Sequence, residues 1–202
     1  MPPSVASLDV RPLTPDTFGD LAALFEEGGD PRWCWCMYFR ARGRDWSNST
    51  GDQNRAELRA LADRPGVAPG LVGYEDGRAI AWISLGPRED YERLAHSKIL
   101  APVDDTPVWS IVCFVVSRHA RGRGVAASML QAGIAYAREH GATMLEAYPA
   151  ETHDRRMRAA DIYLGTLSMF ERAGFEVVER RQWNASTPVR PIVRRSVNAD
   201  RR

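Results

Sequence analysis

The stretch Ser117-Arg118-His119-Ala120-Arg121-Gly122-Arg123-Gly124-Val125-Ala126 carries the residue types best suited to chemistry in this chain. Gly122 and Gly124 let the backbone come close to a ligand and adopt conformations closed to other residues. Arg118, Arg121 and Arg123 add fixed positive charge. An apolar stripe begins at Val125, so the turn opens a helix whose free N–H groups and dipole favour an anion. A pyrophosphate is the expected tenant. Two known phosphate-binding patterns bear on it. A Walker loop requires a Gly-Lys-Ser/Thr ending, which is missing. Gly122-x-Gly124-x-x-Ala127 fits the dinucleotide pattern G-x-G-x-x-A, with Glu146 near the place of a ribose-binding acid, so an NAD(P)-binding protein is one alternative. Too little chain follows, however, for the βα units such a fold needs.

The elements that position this turn follow from hydrophobic period and breakers. Pro107–Val116 is apolar on both faces and predicts a central strand. Val125–His140 predicts a helix with Val125, Met129, Leu130, Gly133, Ile134 and Ala137 on one face and Gly141 at its end. Strands are expected at Thr143–Tyr148, Phe175–Gln182 and Val189–Val197, and a helix at Ile162–Ala173. Upstream, Val5–Leu13 reads as a strand, and Thr14 or Asp16 caps a helix running to Phe25. Ser49–Ala62 is a second helix, and Pro87–Leu94 a short one. Asp76-Gly77 joins strands Gly70–Glu75 and Arg78–Leu85 as a hairpin, because the turn needs positive φ. The order describes a mixed α/β sheet of the α+β kind, in one domain over 1–202 with a frayed tail after about 197.

Composition narrows the function. The chain is 44% hydrophobic and 26% charged, ordinary for a globular protein. Its 27 basic and 26 acidic side chains leave +1, too little for a global field that grips nucleic acid or an anionic membrane. The seven arginines from Arg180 onward read as a solvated edge rather than a nucleic-acid arm. No apolar run reaches the roughly 18 to 20 residues that span a bilayer. Met1–Val10 lacks a basic region followed by an apolar core, so a cytoplasmic protein is expected. Cys34, Cys36 and Cys113 are too few and unevenly numbered for a disulfide framework, and the histidines follow no ligand spacing with them, so no metal is expected.

Arg121-Gly122-Arg123-Gly124-Val125-Ala126 resembles the acetyl-CoA pyrophosphate motif Q/R-x-x-G-x-G/A of the GNAT superfamily of N-acetyltransferases. The apolar strand before it, the long helix after it and Ala173-Gly174-Phe175 at the end of the next helix resemble the same family. The resemblance implies a mostly antiparallel sheet flanked by helices, with a V-shaped splay between the Val108–Val116 and Thr143–Tyr148 strands. Pantetheine would lie there against backbone groups of Phe114, Val115 and Val116. The N–H groups of Arg121, Gly122, Arg123, Gly124, Val125 and Ala126 would hold the pyrophosphate, with Arg118 or Arg123 near the other phosphate. The co-substrate would be acetyl-CoA.

The catalytic pattern departs from the family's. A tyrosine four residues before the Gly-Phe pair is the acid in many members, and here that position is Phe170. Tyr163, two helical turns earlier, and Tyr148 are the candidates to replace it. Glu146, on the same strand face as Tyr148, is the candidate base, or else the partner of a motif arginine. Asp104, Asp105, Glu151 and His153 are nearby alternatives. Trp33, Cys34, Trp35 and Tyr38 lie where the family builds its acceptor wall; aromatic density there suits an apolar or cationic substrate, or else plugs the core. The reading is an N-acetyltransferase acting on a primary amine of a small molecule, as a monomer or homodimer. An inactive CoA-binding sensor is the rival.

Overall fold

The computed structural model describes residues 8–41, 43–152 and 162–197. His153, the beginning of the expected first strand and the tail beyond 197 lie outside them. Seven strands form one sheet: β1 (Asp9–Pro12), β2 (Gly70–Glu75), β3 (Arg78–Pro87), β4 (Trp109–Val116), β5 (Met144–Ala147), β6 (Glu176–Arg181) and β7 (Arg190–Ser196). Their spatial order is β1-β2-β3-β4-β5-β7-β6. Neighbours are antiparallel except β4 and β5, the parallel pair. Asp76 and Gly77 adopt φ of 50° and 76°, the positive values that the hairpin between β2 and β3 demands.

Helices cover both faces. On one side lies α6 (Val125–Glu139), whose stripe of Val125, Met129, Leu130, Ile134 and Ala137 buries against Ile83, Leu85, Phe114 and Leu145. Gly133 sits where a Cβ would come 3.0 Å from Ile83 Cδ1, so glycine sets this close approach of helix to sheet. On the other side α1 (Phe18–Glu26) packs Phe18, Leu21 and Phe25 against Val72, Tyr74 and Trp82. The short helices α2 (Pro31–Cys34) and α3 (Gly43–Asn48) follow it, then α4 (Gly51–Ala62). Its N-terminus carries a full capping box, Thr50 accepting from the Gln53 N–H while the Gln53 side chain accepts from the Thr50 N–H. α5 (Glu92–Ala95) follows β3 after a 3₁₀ turn at Arg88–Asp90.

After α2, Trp35 and Cys36 take φ of 44° and 54°, a tight left-handed turn. Three expectations need correction. The N-cap of α1 is Thr17, which uses its hydroxyl to accept from the Thr14 N–H at 2.9 Å, so neither Thr14 nor Asp16 caps the helix. The helix expected over Ile162–Ala173 is only α7 (Leu167–Arg172). Gly165, at φ 82°, leaves Thr166 at the N-cap of α7, and Ile162–Thr166 becomes a separate piece built on a turn, the Gly165 N–H donating to the Ile162 carbonyl at 2.8 Å. The dinucleotide reading also ends here, because one parallel strand pair cannot make a doubly wound sheet.

Candidate active site

β4 and β5 share three residue pairs, Trp109–Leu145, Ser110–Glu146 and Ile111–Ala147. Beyond Ile111, β4 runs on to Val116 with its β5 side unpaired by any strand, which is the expected splay. A register shift against β3 at Ser84–Leu85 puts a bulge into β4 at this point. The Ser117 N–H donates to the Ile80 carbonyl at 2.8 Å, so alternation turns the backbone groups of Cys113 and Val115 toward β3 as well. Those of Phe114 and Val116 face the slot. Val115 is therefore corrected: its backbone is spent on the sheet. The Phe114 N–H is engaged by the chain itself, donating to the Tyr163 carbonyl at 2.7 Å. On its far side this piece bridges Ala150, whose N–H donates to the Gly165 carbonyl at 2.9 Å.

The arginine turn lies at the slot's open end. After a 3₁₀ turn at Arg118–Ala120, Gly122 and Gly124 take φ of 76° and 81°. Gly124 is the N-cap of α6 and supplies no side chain to its free N–H groups. The first intrahelical bond runs from the Ser128 N–H to the Gly124 carbonyl at 3.1 Å, leaving the N–H groups of Val125, Ala126 and Ala127 ahead of the ladder. A Cβ on Gly122 would meet nothing within 4 Å, so the space over the turn is open. Arg121 donates Nε to the Val116 carbonyl at 3.0 Å, and Arg123 forks onto Glu75, with Nη1 at 3.0 Å from Oε2. These two hold the loop's shape. Arg118 is exposed and makes no ion pair or hydrogen bond among the described residues. A cleft of about 200 Å³ between α6 and α7, lined by Ala127, Ser128, Gln131, Met169 and Arg172, adjoins the turn. Arg172 escaped the sequence reading because nothing local marks it.

Glu146 and Tyr148 do come together, as alternation required: the Tyr148 hydroxyl donates to Glu146 Oε1 at 2.7 Å. Their surroundings differ from expectation. Glu146 is 0% exposed. Arg88 Nη1 donates to Oε1, and Arg194 Nε donates to Oε2 at 2.8 Å. Arg194 also reaches Asp104 Oδ2 at 2.7 Å. The arginines that hold Glu146 are thus not those of the motif. Tyr148 accepts from Arg88 at 2.8 Å and lies 3.0 Å from Ser110 Oγ; burial, then the Glu146 charge, pushes its pKa up. A carboxylate with both oxygens held by charged donors is poorly placed to take a proton.

Tyr163 lies in a turn rather than on a helix, so the face argument for it fails, yet its backbone carbonyl reaches the slot at Phe114. Its ring centroid is 6.4 Å from that of Phe39, and burial pushes its pKa to about 12. Phe170 is fully buried, 6.1 Å from Phe114 and 5.0 Å from Phe175, a core residue. Of the acceptor wall, Trp35 turns inward, 3% exposed and stacked 6.1 Å from Phe18. Trp33 and Tyr38 remain outside, 45% and 36% exposed, both set edge-on against Trp46. Arg93 lies 4.1 Å over the Tyr38 ring. Cys36 is buried with Sγ 3.3 Å from Cys113 Sγ, and accepts from Trp82 Nε1 at 3.2 Å. The Cys34 thiol is pushed up first by its contact with Cys36 and then by burial, which argues against a thiolate nucleophile.

Residues 32–175 match the profile of the acetyltransferase (GNAT) family. No curated protein sequence matches the chain at a significant level. Many solved structures do. A GCN5-related N-acetyltransferase from Kribbella flavida is 18% identical, with a TM-score of 0.55 over 94% of this chain and 98% of that one. A GNAT acetyltransferase from Streptococcus pneumoniae is 12% identical, with a TM-score of 0.54 over 94% and 98%. A mutant agmatine N-acetyltransferase without its ligands is 10% identical, with a TM-score of 0.56 over 95% and 100%. At such identities the likeness to these structures is one of fold.

Proposed function

The chain belongs to the GNAT family of acetyltransferases, and from that premise we propose that it moves an acetyl group from acetyl-CoA to the primary amine of a small molecule. The observation that carries the proposal is the turn before α6: two left-handed glycines, an N-terminus with no side-chain cap, and open space above Gly122. That arrangement suits a pyrophosphate, which would take the N–H groups from Gly122 to Ala127. Arg118 supplies charge to a phosphate, and Arg172 faces the adjoining cleft.

Acetyl-CoA supplies the activated thioester; the remaining work belongs to the chain. Phe114 and Val116 offer backbone groups to the slot, and the Phe114–Tyr163 bond exchanges for a cofactor amide when the slot fills. Tyr163 keeps its phenol protonated at neutral pH, so its hydroxyl can give a proton to the departing sulfur. Glu146 and Tyr148 are assigned to the scaffold. With Glu146 locked, the ammonium proton goes to solvent, and catalysis rests mainly on orientation.

The test is thermal denaturation with acetyl-CoA, CoA, NADH and ATP side by side, then thiol release with an amine panel. At one hundred times its dissociation constant a ligand adds about 2.7 kcal/mol, or about 5 to 11 °C here. A shift with acetyl-CoA and CoA alone, followed by thiol release, is the expected result. A shift with NADH alone overturns the proposal. Phe170 in the family's acid position favours the second reading, a CoA-binding sensor, which predicts the shift without turnover.

A further inference from the structure

Four arginines, Arg88, Arg181, Arg190 and Arg194, belong to the polar cluster on the sheet face that carries Glu146. Alternation along β7 brings Arg190, Ile192 and Arg194 to that face, and Ile192 is buried in one cluster with Tyr148. Three of the four have counter-ions. Arg88 and Arg194 hold Glu146, Arg194 holds Asp104 too, and Arg181 donates to Glu179 Oε2 at 2.6 Å and to the Ala101 carbonyl at 2.6 Å. Arg190 differs. Among the described residues its hydrogen bond goes to the Tyr148 carbonyl alone, at 3.4 Å. No carboxylate there balances it, and burial pulls its pKa down.

Its setting is unfavourable in a second way. Arg181 is its cross-strand partner, so like charges stand opposite each other. A half-buried cation without a counter-ion costs folding free energy. That cost is relieved when a ligand brings the missing anion. Tyr163 marks the place, since it lies near Arg190 and also has its carbonyl on the Phe114 N–H in the slot. Tyr163 borders Phe39 as well, which joins Arg190 to the aromatic wall. A simple ammonium substrate would be repelled from this corner.

We propose, resting on the acyl-transfer reading above, that the acceptor is an amine that also bears a carboxylate, an amino-acid-like zwitterion whose carboxylate pairs with Arg190. Its amine nitrogen then points into the slot and its side chain meets Tyr38 and the neighbouring aromatics. In the transfer the nitrogen bonds to the acetyl carbon as the carbon–sulfur bond breaks. The ammonium gives one proton to solvent; the sulfur leaves as the thiol with a proton from Tyr163, and the second proton that the nitrogen loses restores the Tyr163 phenol. The products are an N-acetylated acid and CoA.

Paired probes test this: phenylalanine against phenethylamine, tyrosine against tyramine, and leucine against isoamylamine, each with acetyl-CoA. The unaltered protein is expected to favour the acid of each pair. Arg190→Gln is expected to cut the acid-to-amine ratio of kcat/KM by about 30-fold or more, the lower range for truncating a buried charge pair, with Arg190→Lys intermediate. Both variants should keep the thermal shift with acetyl-CoA, which reports an intact fold and cofactor site. Equal use of amine and acid, or a preference that survives Arg190→Gln, overturns the proposal. Should no probe release thiol, tryptophan fluorescence with N-acetylphenylalanine and N-acetylphenethylamine decides, and failure to prefer the acid overturns it equally. Absence of any acetyl-CoA shift in the unaltered protein is a different result, which defeats the acyl-transfer reading itself.

Discussion

Glu146 illustrates how a side chain with the right chemistry can be withdrawn from it. Buried at 0% exposure between Arg88 and Arg194, it is the counter-ion of Arg88 and shares Arg194 with Asp104. Glu146→Gln should therefore cost about 3 to 5 kcal/mol of stability, as breaking a buried pair does. Chemical denaturation reads that loss, and acetyl-CoA should still bind the folded fraction. A general base would behave in the opposite way, losing turnover at unchanged stability. Tyr163 is the contrasting case. Tyr163→Phe keeps the backbone carbonyl that meets Phe114 and removes only the proton, so kcat should fall about 100-fold while the acetyl-CoA thermal shift persists. Tyr148→Phe should instead lower the melting temperature, because its hydroxyl serves Glu146 and Arg88.

The turn before α6 is where an element, rather than a side chain, makes the site. Gly124 holds φ at 81°, a conformation that a β-branched residue adopts only with strain. Gly124→Val should abolish the acetyl-CoA shift in a protein that still unfolds cooperatively; an unchanged shift would move the pyrophosphate elsewhere. This turn was legible from sequence because its signals are local: two glycines, an apolar strand before and an apolar helical stripe after. The hairpin at Asp76-Gly77 was legible for the same reason. The polar clamp was not, since Glu146 meets Arg88 and Arg194, residues far away along the chain, and nothing in a local pattern foretells such a partner. That Trp35 plugs the core while Trp33 and Tyr38 stay outside is set by a left-handed turn at non-glycine residues, which carries no sequence mark. The short α7 is a different failure. Gly165-Thr166 is a breaker followed by a capping residue, and the apolar period on either side overrode that signal.

Across the whole molecule, a net charge of +1 conceals many opposed pairs. Several carboxyls sit below their ordinary range: Asp104 and Glu75 through Arg194 and Arg123, Glu179 through Arg181, and Glu27 chiefly through the Ser117 hydroxyl. A depressed carboxyl contributes stability that is fully present above its unfolded pKa, about 4, and fades as pH falls below it. Thermal midpoints should thus hold from pH 7 to about 5 and drop toward pH 3. Asp104→Asn should lower the midpoint at pH 7 modestly and make the acid limb shallower, since one of the groups that must be protonated is gone.

The three residue pairs between β4 and β5 are the shortest strand pairing in the sheet. In mechanical terms this is a seam. A molecule pulled from anchor points on β2 and β6 should part there, with the flanking pairings outlasting it. A cofactor lying in the slot would then act as a rivet across the seam, gripping β4 on one side and the chain beyond β5 on the other. Occupancy would raise the rupture force along that axis and leave it nearly unchanged for a pull confined to β1 through β4.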